Sequence, residues 1–267
     1  MELLTILVSG LLGLIVPVGL VIDSTAENVI RSQLAKAEQL QVRVDNAPTH
    51  QLLQGKVESV RIAGRSLQLK QQNINIAVLE LETDEIELDP SSFRQKLPKI
   101  KQPLQAGVRL VLNQEDINKL LQSPEFLSGL RKFNIGGSSE SESSSVYNFI
   151  NPRVEILANN RLIFQVELQE EKQEEKLAIK VESGLSVVAG SQFQLINPVV
   201  LVDGEEFPPQ FLNNVVNNIN QRLDLRNLEG DGLQVRILKL DMKPKKLEIA
   251  AFLRIEPSSK FLETRRS

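Results

Sequence analysis

The sequence has no cysteine and no tryptophan, one histidine and one tyrosine, and only 4% of its 267 residues are aromatic. Without cysteine there is no disulfide, no thiolate metal site and no cysteine nucleophile, and one histidine cannot make a paired-His zinc site. His50 lies in APTHQLL, which offers no nucleophile elbow for it to serve, so it reads as a turn residue. The patterns G-x-x-x-x-G-K, G-x-G-x-x-G and H-E-x-x-H are missing as well. An excess of positive charge is a further absence. The net charge is −3 and lysine and arginine are scattered, which removes the electrostatic footprint of a nucleic-acid binder. No catalytic residue, metal ligand or cofactor site emerges. Carboxylates are plentiful, so a hydrolase built on two converging acids stays open as an alternative. Lack of cysteine permits an oxidising compartment without requiring one.

What is present suits a globular protein: 41% hydrophobic and 24% charged residues, enough to bury a sizeable core. Leu3 to Ile22 carries no charge and, at about 1.5 Å per residue, just reaches across a hydrocarbon layer of about 30 Å. Glu2 precedes it without any lysine or arginine, and Ser24-Thr25-Ala26 is a weak cleavage signal. Arg31 and Lys36 follow it, leaning toward a cytoplasmic body. Three readings stand for residues 1–22: an uncleaved anchor or signal-like segment, a cleaved signal, or an apolar segment docked on the fold. Residues 23–256 form the body, with a low-complexity loop GGSSESESSS at 136–145 and a frayed tail at 257–267.

The body alternates. Leu104, Ala106, Val108, Leu110 and Leu112 share one face of an extended strand. So do Leu162, Phe164, Val166 and Leu168, then Leu177, Ile179, Val181, Leu185 and Val187, and finally Leu247, Ile249, Ala251, Leu253 and Ile255. These predict half-buried antiparallel strands. QEEKQEE at 169–175 predicts a hairpin loop, and EGDG at 229–232 the Asp-Gly turn of another hairpin. Helices interrupt the strands. Ser24-x-x-Glu27 reads as a capping box opening a helix to about residue 39, with Val29, Ile30, Leu34 and Ala37 on one side. Asn113 caps QEDINKLLQ, and Ser123-Pro124 restarts a second short helix with Phe126, Leu127 and Leu130. Pro208-Pro209 opens a third, with Phe211, Leu212, Val215, Val216, Ile219 and Leu223 on one face and five asparagines on the other.

Two stretches change faces. Ile74, Ile76 and Val78 are even, then Leu79 and Leu81 are odd; Leu233, Val235 and Ile237 are odd, then Leu238, Leu240 and Met242 are even. A β-bulge at each point would restore pairing and curve the sheet; strands covered on both faces would make parity uninformative. In either case the expected fold is α+β: a long, curved, mainly antiparallel sheet with helices packed on its concave face, enclosing an elongated apolar cavity.

QLLQGKVESVRIAGRSLQL (51–69) and GDGLQVRILKLDMKPKKLEIAAFL near the end resemble the LmeA-like phospholipid-binding family, in its cyanobacterial-type members, and the likeness covers roughly residues 20–256. The resemblance implies a single α+β domain related to tubular lipid-binding proteins. It implies a non-catalytic protein that binds or carries phospholipid by enclosing acyl chains, associated with the inner membrane or its periplasmic side in a bacterial cell envelope. The family supplies no ligand motif to transfer residue by residue. From the residues alone, candidates to line an apolar space are Val108, Leu110, Leu112, Leu120, Leu121, Phe126, Leu130, Phe164, Val166, Phe211, Val215 and Ile219. Arg61, Arg65, Lys243, Lys245 and Lys246 are candidates to meet head groups at a membrane surface. The alternative reading is a membrane-anchored scaffold or assembly factor that binds another protein.

Overall fold

The computed structural model describes residues 24–45, 54–70, 75–92, 99–131, 147–170 and 175–263. The apolar run at 1–22, His50 and the loop at 136–145 lie outside the described residues. Among those described, no helix is long and apolar enough to cross a membrane.

Alternation folds as antiparallel sheet throughout, but into two main sheets where one was expected. The first combines β1 (Leu34–Lys36), β2 (Gln39–Asp45), β4 (Ser59–Leu69), β5 (Asn75–Thr83), β7 (Leu104–Asn113), β13 (Leu233–Lys243) and β14 (Lys246–Ile255). Its order is β1-β4-β5-β7-β14-β13, with β2 also on β4. The second runs β12-β11-β10-β9-β8, built from β8 (Tyr147–Ile156), β9 (Arg161–Glu170), β10 (Lys176–Val188), β11 (Gln192–Val202) and β12 (Glu205–Glu206). A short ribbon pairs β3 (Lys56–Val57) with β6 (Ile86–Glu87). Neither main sheet closes into a barrel.

The inward row Ile62, Leu81, Val108 and Ala251 crosses four neighbouring strands in register, and all four are buried. At roughly 1.5–3 kcal/mol for each large side chain removed from water, such rows stabilise the seven-stranded sheet. Helix α1 (Ser24–Gln33) packs on β2 through fully buried Ile30. It ends earlier than its sequence suggests, because Leu34 starts β1 opposite Leu69. Glu27 accepts from Arg31 one turn on, at 2.8 Å.

The two changes of face have different causes. In β13 the register shifts between Ile237 and Lys239, a bulge that leaves Leu238 72% exposed. At Val78–Leu79 there is no shift: β4 and β5 stay in register while Leu67 with Ile76, and Gly64 with Leu79, are buried in turn. Both strands change face together at Ser66, whose φ is 50°. Leu67 folds back over Gly64, where a Cβ would lie 2.6 Å from it.

EGDG does not make a hairpin. Residues Leu225–Asp231 form a 3-10 turn that Gly232 ends in the left-handed region, leading into β13. The stretch after 256 is ordered as far as 263: α5 (Lys260–Glu263) brings Leu262 into the core and Phe261 against it, so the expected fraying does not begin at 257.

The second sheet meets the first through its turns. Ile237 N–H of β13 donates to Gly190 O at 2.6 Å, in the β10–β11 turn, and Met242 N–H donates to Asn160 Oδ1 at 2.7 Å, in the β8–β9 turn. One end of the five-stranded sheet is thereby fixed on the free edge of β13, and the other end, at Lys176 and Val202, points away.

Candidate functional site

Register assigns the faces of the five-stranded sheet. On one face lie Phe149, Val154 and Ile156 of β8, Leu162, Phe164, Val166 and Leu168 of β9, and Leu177, Ile179, Val181, Leu185 and Val187 of β10. Phe193, Leu195, Val200 and Val202 of β11 complete it. The other face is mixed: it carries Gln165, Glu167, Lys180 and Glu182, with ion pairs Arg161–Glu182 at 2.7 Å and Lys176–Glu167 at 3.2 Å, and toward β11 the exposed Val188, Ile196 and Val199.

Coverage of the apolar face is incomplete along most of its length. Near β13, Val154, Leu162, Phe164, Leu185, Val187 and Phe193 pack against the main core. Farther out, Val166 and Leu168 are buried, Ile179, Val181, Val200 and Val202 are half-buried, and Leu177 is 44% exposed. A sheet face this apolar is ordinarily buried, because each exposed square ångström costs about 25 cal/mol. Here much of it is reachable from outside.

Helices stand at the margins of this face. α2 (Gln114–Leu121) and α3 (Pro124–Arg131) lie against edge strand β8. Asn118 of α2 reads the β8 backbone in both directions, accepting from Val154 N–H at 2.7 Å and donating to Val154 O at 3.1 Å. α4 (Pro209–Arg222) lies against β11, where Asn220 Oδ1 accepts from Leu195 N–H at 3.1 Å. That asparagine therefore does more than face solvent, while Asn217 and Asn218 are exposed.

The candidate residues divide by place. Val108, Leu110, Leu112, Leu120, Leu121 and Val166 are buried, and the first five belong to the main hydrophobic core. Phe126 and Phe164 are partly buried against that core, and Leu130 and Ile219 are half-buried on α3 and α4. The side chains of Phe211 and Val215 lie outside the described residues. Residues the candidate set missed, Ile179, Val181, Val200 and Val202, supply the half-covered part. Their alternation was legible, but which face stays partly open depends on where helices and sheets dock.

The five basic candidates do not converge. Arg61 Nε donates to Glu82 at 2.7 Å and its guanidinium reaches Asp45 at 3.3 Å, which together raise its pKa. Its row crosses β7 at Gly107, six residues or about 20 Å from Asn113, where Lys246 pairs. Arg65 is exposed in mid-strand, Lys243 reaches Asp241 at 3.4 Å, and Lys245 and Lys246 are exposed at the β13–β14 turn.

Three recesses mark the described surface. One of about 630 Å³ is lined by β2, β4, β5 and β7 together with Leu238 and Ala251, without any helix. One of about 290 Å³ lies on the β9–β10 strands beside Arg153, Glu167 and Lys180. A polar one of about 270 Å³ lies among Lys36, Ser66, Gln68, Asn75, Asn113 and Asp116. None of the three is the elongated apolar cavity between sheet and helices that the sequence led us to expect. Among the described residues no group of acidic or histidine side chains is arranged to hold a metal.

Residues 15–252 match the sequence model of a family described as LmeA-like phospholipid-binding. The chain belongs to that family. No curated protein matches it. No solved structure matches it either. Membership in the LmeA-like family agrees with the motifs around Gly55 and Gly232, and it points to phospholipid with no indication of catalysis.

Proposed function

We propose that this LmeA-like protein binds phospholipid without chemistry, laying acyl chains along the outer part of the apolar face of β8–β11, between α3 on one side and α4 on the other. The observation that carries the reading is the partial coverage of Ile179, Val181, Val200 and Val202, continuous with Leu177 at the open end. Phe126, Leu130, Phe164 and Ile219 border the trough, and Val108, Leu110 and Leu112 belong to the packed body behind it. A methylene transferred from water is worth about 0.8 kcal/mol, so half an acyl chain yields several kcal/mol after ordering costs. No catalytic group is required. As a member of a phospholipid-binding family with an apolar run at 3–22, the protein works at a membrane, as a carrier or holder of lipid.

The test is mass spectrometry of organic extracts from purified full-length protein. We expect phospholipid with the wild type and its loss with Val181→Glu, whose charge would lie among acyl methylenes while its position near solvent spares the core. A folded wild-type protein free of lipid would overturn the reading.

A further inference from the structure

We propose that one end of the seven-stranded sheet, the end at the β13–β14 turn, docks on an anionic membrane surface. Pairing brings distant basic residues to this end. Lys36 pairs with Gln68, Gln68 with Asn75, Lys246 with Asn113, and Lys243 with Lys246. Asp116 ties the row together, accepting from Asn75 Nδ2 at 2.9 Å and from Lys119 Nζ at 3.3 Å. Lys70 follows β4 directly and its Nζ donates to Ser32 O at 2.8 Å. Lys36, Lys70, Lys119, Lys243, Lys245 and Lys246 thus form one exposed basic end on a chain whose net charge is −3.

Pairing with acids separates this end from the opposite one. Among the described residues no carboxylate lies within ion-pair distance of Lys36, Lys70, Lys245 or Lys246. Glu38, Glu115 and Glu155 are exposed acids nearby, Asp241 engages Lys243, and Asp116 is buried. At the far end Lys56, Lys101, Lys260 and Arg254 are paired with Glu85, Glu87, Asp231 and Glu256, Lys99 has no ion pair among the described residues, and Glu58 and Asp84 add exposed negative charge. Lysines without an ion partner at one end complement an anionic bilayer, and each one near such a surface strengthens binding several-fold. The acidic far end disfavours an extended polyanion such as nucleic acid. The polar recess between Lys36 and Asn113 has the Asp116 carboxylate in its wall, which repels phosphate. The lysines therefore meet phosphates at the surface, so binding follows bilayer charge density and not head-group identity.

The experiment is flotation of full-length protein with vesicles of phosphatidylcholine alone, or with added phosphatidylglycerol or phosphatidylserine. The phosphatidylcholine arm reports whatever residues 1–22 contribute. We expect both anionic mixtures to raise binding equally, and salt to reverse the gain. Lys243→Gln/Lys245→Gln/Lys246→Gln should weaken binding to anionic vesicles at least about tenfold, with an unchanged circular dichroism spectrum and unchanged co-purified lipid. Lys99→Gln/Lys101→Gln, at the far end, should bind like the wild type. Wild-type binding that ignores bilayer charge, a triple variant that floats like the wild type, or lysine-dependent retention of duplex DNA without any gain on anionic vesicles would each overturn the proposal. Because lipid recovery is read separately, failure here leaves the acyl-chain trough standing, and the reverse also holds.

Discussion

Gly232 and Gly107 differ in what a side chain would meet. Gly232 has φ 79°, and a Cβ there would lie 2.8 Å from Ser259 Cα, so Gly232→Ala should destabilise by more than about 1 kcal/mol. Gly107 sits in mid-strand with nothing within 4 Å of an added Cβ, so Gly107→Ala should stabilise by about 0.5–1 kcal/mol. Thermal unfolding of the two variants checks both signs. Glu248 offers a test in pH. Arg109 first, then Lys239, hydrogen-bond its carboxylate and hold its pKa below the ordinary 4.5. A carboxyl more acidic in the folded chain stabilises it fully above that ordinary value, and the contribution is lost as pH falls through the lower, folded one. Urea midpoints should therefore decline on the acid side of 4.5, and Glu248→Gln should be less stable at neutral pH with a shallower acid decline.

At the scale of elements, the seam between α2 and β8 closes an edge. Asn118 satisfies both backbone groups of Val154, Gln114 Oε1 accepts from Ile156 N–H at 2.8 Å, and Lys245 N–H donates to Ile156 O at 3.1 Å. Asn118→Ala leaves a strand edge unpaired at a cost of about 1–3 kcal/mol, and such edges recruit other strands. Denaturant unfolding should show the loss, and light scattering should show concentration-dependent association absent from the wild type. These long-range ties were hidden in the sequence, whereas the strands themselves were legible because period-two alternation is a local property. The helices at 114 and 124 begin where Asn113 and Pro124 placed them, although the Asn113 side chain makes no capping hydrogen bond. The first helix was overestimated because Leu34 fits a helical stripe as well as it fits a strand opposite Leu69. The same ambiguity explains the faces: parity identified the bulge at Leu238, but Val78–Leu79 follows from a kink shared with Ser66 on a neighbouring strand. No single-strand pattern contains that information.

For the whole molecule, the decisive feature is a second sheet attached by its turns to β13, with an apolar face that packs on the main core near the attachment and is half-covered over much of its length. The sequence showed that the face was apolar; its partial coverage depends on docking between segments distant in sequence, such as Asn160 with Met242, 82 residues apart, and Asn118 with Val154, 36 apart. Since the chain has no cysteine, a single introduced one can carry a unique label. The most direct measurement attaches a fluorophore to Val181→Cys on the apolar face, and in a separate protein to Lys180→Cys on the opposite face, then adds phospholipid brominated along its acyl chains. Strong quenching at position 181 with little at position 180 is the predicted result. Equal quenching at the two positions, or none at 181 in a folded protein, would contradict the proposal that lipid tails lie on this face.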